Sequence, residues 1–72
     1  MRRDRIVSKL RELGYNFRQD AWRVQMFRHP VTMHIVQVRK RDEIDDDWVR
    51  STLRQAGCSK EEIDKFIGQA NN

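Results

Sequence analysis

The sequence is poor in the residues that staple or punctuate a small fold: one cysteine, one proline and three glycines in 72 positions. A lone thiol, Cys58, permits neither an internal disulfide nor a cysteine-based zinc cluster, so stability has to come from packing or from a partner. No apolar run approaches the ~20 residues that cross a bilayer, and Met1-Arg2-Arg3-Asp4-Arg5 leads into a mixed polar segment rather than a signal-peptide core. A cytoplasmic protein without membrane contact is expected. Core material is also thin, with 38% hydrophobic and 36% charged residues and a mean hydropathy of −0.92. A chain this short buries only roughly 60% of its unfolded surface and holds a single core, so one domain over residues 1–72 is expected. Two Trp, three Phe and a regular apolar spacing separate it from a disordered tail. No internal repeat, linker or low-complexity stretch offers a second module.

What the chain has in excess is positive charge, unevenly placed. Residues 1–41 carry eleven basic and three acidic side chains, a balance of +8, whereas residues 42–72 carry four basic and eight acidic ones, a balance of −4. A polyanion is the partner class that rewards such polarity, because phosphate contacts gain from counterion release. The competing reading is that the arginines are ordinary solvated faces. The acidic run Asp42-Glu43-Ile44-Asp45-Asp46-Asp47 repels phosphate, which is expected to confine a nucleic-acid surface to the other side of the molecule.

Apolar spacing predicts the elements. Ile6, Val7, Leu10 and Leu13 recur at helical intervals between Asp4 and Leu13, and Gly14 supplies the stop. Tyr15 to Arg18 reads as a first strand, Gln19-Asp20 as a turn, and about Ala21 to Arg28 as a second strand ended by His29-Pro30. In that second strand Trp22, Val24 and Met26 share one face and Arg23, Gln25 and Phe27 the other. Val31 to Val38, rich in β-branched residues, reads as a third strand. Asp45 or Asp46 caps a helix whose inner face is Trp48, Val49, Thr52, Leu53 and Ala56, ended by Gly57. Ser59-Lys60-Glu61-Glu62 has the form of a capping box and opens a last helix with Ile63, Phe66, Ile67 and Ala70 inward. The expected fold is α+β in the order α-β-β-β-α-α, a three-stranded antiparallel sheet with helices on one face.

At Leu13-Gly14-Tyr15, at Phe27-Arg28-His29-Pro30 and above all at Val49-Arg50-Ser51-Thr52-Leu53-Arg54-Gln55-Ala56-Gly57, the chain resembles the HicA toxin family. Glu43-Ile44 and Ser59-Lys60-Glu61-Glu62 extend the likeness, and no gap is needed between Gly14 and Phe27. The resemblance implies a fold like that of double-stranded-RNA-binding domains, RNA as substrate and a HicB-like antitoxin as partner. Members of the family carry a Gly-Ser-His-His stretch on the second strand, whose first His is catalytic. The corresponding positions here read Trp22-Arg23-Val24-Gln25, which puts Val24 where the imidazole belongs. Attack by a 2′-OH needs a proton acceptor or donor, and neither Val24 nor Gln25 is one. The resemblance therefore implies an RNA-binding domain without the family's conventional nuclease activity.

Two histidines stand as weak replacements. His29 before Pro30 reads as a turn residue, and His34, if the last two strands form a tight hairpin, falls roughly across from Gln25. An active ribonuclease toxin using one of them is the enzyme alternative. Cys58 has no His neighbour and reads as a small packed or half-exposed thiol. The loop carboxylates lack the alternate spacing and glycine of a calcium loop, so neither metal nor cofactor is expected. Arg2, Arg3, Arg5, Lys9, Arg18, Arg23, Arg28, Arg39, Lys40 and Arg41 are the candidate contacts to structured or double-stranded RNA, as one basic surface. Tyr15 and Trp22 are candidate stacking residues, although Val24 and Met26 beside Trp22 favour the core for it. A third alternative is a protein-interaction module, docking a partner or a second copy through an open sheet edge.

Overall fold

Ile6 and Leu10, one helical turn apart, lose all solvent contact on α1 (Arg3–Glu12), and the rest of the architecture is arranged around them. The computed structural model describes residues 1–70. The helix ends where Gly14 adopts φ +96°, and Tyr15 N–H then donates back to the Leu10 carbonyl at 2.9 Å. Glycine is required there on two grounds. The left-handed backbone disfavours other residues, and a Cβ would come within 2.7 Å of His29 Nε2.

Three strands follow, β1 (Asn16–Asp20), β2 (Val24–Arg28) and β3 (Ile35–Arg39), antiparallel in the order β1-β2-β3. Helices α2 (Asp46–Gln55) and α3 (Lys60–Ala70) complete an α+β fold of order α-β-β-β-α-α. Both local helix starts are as the sequence indicates. Asp45 accepts from Trp48 N–H at 2.8 Å, and Ser59 and Glu62 exchange side-chain to backbone hydrogen bonds at 2.9 and 3.2 Å. The backbone bond, followed by the one from the Ser59 hydroxyl, holds the Glu62 carboxyl below its ordinary range.

The strand boundaries differ from the expectation. Gln19 and Asp20 belong to β1 rather than to a turn, and the turn comes at Ala21–Arg23, closed by Ala21 N–H donating to the Val24 carbonyl at 2.9 Å. β2 therefore starts at Val24, and Trp22 sits on the turn with 84% of its surface exposed instead of in the core. The buried β2 residue is Phe27, opposite Val36 of β3, with Gln25 opposite Val38 on the same face. β3 starts at Ile35, not Val31. Residues 29–34 form a loop in which His29 Nδ1 accepts from the N–H groups of Val31 and Thr32 at 3.1 and 3.2 Å. Met33 in that loop takes φ 67°. Consequently His34 is not across from Gln25. It lies at the end of the sheet beside His29, whose N–H donates to the His34 carbonyl at 3.0 Å.

Val36, Val38, Val49, Leu53, Ile63, Phe66 and Ile67 surround Ile6 and Leu10, and Ile44 and Cys58 join them. The Cys58 thiol is packed rather than half-exposed, and burial pushes its pKa up. Tyr15 is also buried, with its hydroxyl donating to the Ala56 carbonyl at 3.3 Å, so it offers no stacking surface. The side chain of Ala70 lies outside the described residues.

Helices α1 and α2 pack against β3. The Thr52 hydroxyl donates to the Gln37 carbonyl at 3.3 Å, and Arg3 Nε to the Arg39 carbonyl at 3.1 Å. β1 has all five residues exposed, and the edge-on contact of Phe17 with Phe27, at 5.9 Å between ring centres, is its aromatic link to the core. A bulge interrupts its pairing between Phe17 and Gln19. Among the described residues, no helix is long and apolar enough to cross a membrane.

Candidate nucleic-acid interface

The pairing of Val24 with Arg39 carries two basic segments to one end of the sheet. On one side is the β1–β2 turn with Trp22 and Arg23. On the other is Arg39-Lys40-Arg41, joined to it by Lys40 N–H donating to the Arg23 carbonyl at 3.1 Å. Together with Val24 and with Trp48 from the first turn of α2, they line a concavity of ≈ 560 Å³. The Asp45 cap fixes the start of α2 and hence the position of Trp48.

Each tryptophan carries an arginine. The Arg39 guanidinium lies 4.3 Å from the centre of the Trp48 ring, and that of Arg23 lies 4.3 Å from the centre of the Trp22 ring. Such stacking holds a guanidinium in place while leaving its N–H edges free to donate to phosphate. Among the described residues, Lys40 is the lining cation with an ion pair, at 3.4 Å from Asp20. Gln25, donating to the same Asp20 carboxylate at 3.0 Å, and then Lys40 hold that carboxyl below its ordinary 3.8. Arg23, Arg39 and Arg41 face solvent.

The ten basic residues singled out from the sequence are distributed among several hollows. Arg23, Arg39, Lys40 and Arg41 gather at the concavity, with Arg3 half-buried behind Arg39. Arg18 and Arg28 line a smaller hollow with Asn16, Phe17 and Pro30 at the far end of the strands. Arg5 and Lys9 lie over the Phe66 ring at 5.9 and 5.8 Å, in a groove that also holds Asp4 and Glu12. Arg2 pairs through its backbone with Glu43.

That last pairing also corrects the expected place of the acidic run. Ile44 N–H donates to the Met1 carbonyl at 2.7 Å and Arg3 N–H to the Asp42 carbonyl at 2.8 Å, which ties the run to the start of α1. Glu43 and Asp45 then share a neighbouring hollow with Arg39, Arg41 and Trp48. The acids border the basic concavity instead of lying across the molecule from it, and form a repulsive rim on one side.

The concavity lining contains no imidazole, carboxylate or thiol. His29 and His34 lie beyond the opposite end of β2 and β3, each five residues along its strand from the concavity, roughly 16 Å away at the ~3.3 Å rise of a strand residue. His29 has a structural task, since its Nδ1 accepts two loop N–H groups and its ring packs edge-on against Tyr15 at 5.3 Å. Among the described residues, no cluster of three or more His, Cys, Asp or Glu side chains is placed to hold a metal ion.

The sequence did not point to Trp48 as part of this wall. Three positions after the Asp45 cap, Trp48 rests half-buried against the core and also lines this wall, a double role that helical spacing alone does not reveal. No protein-family model matches this chain, and no curated protein matches it.

Proposed function

We propose that this domain binds RNA through the concavity between the β1–β2 turn and the Arg39–Arg41 segment, as a HicA-like scaffold without the usual catalytic imidazole. The observation that carries the reading is the convergence of Arg23, Arg39, Lys40 and Arg41 around Trp22 and Trp48. Val24, the position at which the resemblance calls for the catalytic His, lines this same concavity. The element order fits that resemblance without being particular to it. A nuclease working through His29 or His34 draws no support from the geometry, because both stand at the far end of the strands from the cations that would hold the phosphates.

Titration with a structured RNA across a salt series tests the reading. Four phosphate-neutralising cations give log K against log salt a slope of about −3 to −4. Replacing Arg39 and Arg41 with Gln is expected to flatten that slope by about one for each charge removed. Absence of binding at low salt, or an affinity indifferent to salt, overturns the proposal.

A protein-partner reading, with a HicB-like antitoxin or a second copy as the occupant, draws on a different observation. Phe17, Val31, Met33 and Ile35 are exposed apolar side chains at the far end of the sheet. Sedimentation over a concentration series, alone and with a candidate partner, tests it.

A further inference from the structure

Resting on the RNA reading above, we infer that Trp22 is a stacking platform for an unpaired nucleobase, so that the preferred ligand presents single-stranded RNA at the concavity rather than an uninterrupted duplex. Trp22 is 84% exposed, the most exposed of the large apolar side chains. One face of its ring is covered by the Arg23 guanidinium at 4.3 Å, which leaves the opposite face to solvent. The backbone beneath it is fixed at both ends of the turn, by the Ala21 to Val24 bond of 2.9 Å and the Lys40 to Arg23 bond of 3.1 Å. An indole held in this way loses little freedom when a ring settles on it.

The surroundings identify the occupant. An apolar protein partner placed on Trp22 has to strip water from Arg23, Lys40 and Arg41, a costly step without compensating anions. A nucleotide brings the flat ring and the phosphate together. Bases inside a duplex have both faces taken by their neighbours, so the free indole face selects a base that is unpaired, at a loop, bulge or single strand.

The test uses the full chain with three probes: a short single-stranded oligoadenylate, an RNA duplex of the same length, and inorganic polyphosphate as an anion without bases. Oligoadenylate is expected to bind more tightly than the duplex. It is also expected to quench the tryptophan emission of a Trp48→Phe variant, in which Trp22 is the remaining tryptophan. Trp22→Ala is expected to weaken oligoadenylate binding on the order of tenfold, within the range one stacked base supplies, and to weaken polyphosphate binding by a clearly smaller factor, since polyphosphate loses the ring beneath Arg23 but no base contact. Trp22→Phe restores most of the loss. Thermal melting of each variant confirms that the fold is intact, as the exposure of Trp22 leads one to expect. If Trp22→Ala binds oligoadenylate as tightly as the parent, or loses polyphosphate binding to the same degree, the stacking inference is overturned while RNA binding stands. If the parent binds none of the three probes, both fail together.

Discussion

The two outer strands of the sheet make a sharp contrast. β3 alternates exposed and buried residues, lays Val36 and Val38 under α1 and α2 with no exposure, and has two of its carbonyls bonded to Thr52 and Arg3. β1 is exposed along its whole length, carries a bulge, and leans on the core through Phe17. One strand is therefore framework. The other serves mainly as a stalk that delivers the Trp22 turn beside Arg39–Arg41. The proposed binding residues of that turn sit where little core depends on them, which frees the turn to be chosen for contact rather than for packing.

The largest effect that separates the two strands is expected on the β3 side. Val38→Ala removes a fully buried side chain and should lower stability by about 2–3 kcal/mol in denaturant unfolding, whereas Trp22→Ala should fall within about 0.5 kcal/mol of the parent. Equal losses would erase the distinction between framework and stalk. Thr52→Val keeps the volume and removes the hydroxyl that donates to Gln37, for an expected loss of about 1 kcal/mol. It should also speed amide exchange in β3 relative to the parent, and unchanged exchange would show that the Thr52 hydroxyl contributes nothing to that edge.

The smallest effect concerns acid. The Asp20 carboxyl on β1 is held below 3.8 by Gln25 and Lys40. A folded-state pKa below the unfolded one stabilises at pH above the unfolded value, and the benefit disappears as pH falls through the folded value. The melting-temperature gap between the parent and Asp20→Asn should thus be fully present at neutral pH and close below about pH 4. A gap that persists in stronger acid would assign it to something other than this charge.

Local features of the fold were readable from the residues alone. Helical spacing gave Ile6 and Leu10, and side-chain chemistry gave the Asp45 cap and the Ser59/Glu62 box, because partners three or four positions apart are visible in the chain. The face of β2 was not readable. Trp22-Val24-Met26 and Arg23-Gln25-Phe27 both alternate, and the choice between them depends on where the turn falls and on which side the helices lie. The β2–β3 register was hidden for a similar reason. His29 accepting two loop N–H groups lengthens the connection, and that shifts His34 away from Gln25. The net charge of residues 1–41 located the basic half of the chain but not which arginines share a hollow, because strand pairing decides which become neighbours.

Thr52 and Arg3 occupy two carbonyls of the β3 margin, so a strand added there competes with both side chains, whereas the β1 margin carries no such bond among the described residues. Growth into a filament requires two free borders on every subunit. Displacing Thr52 and Arg3 from their two carbonyls is therefore the step that separates pairing of two copies from open-ended growth.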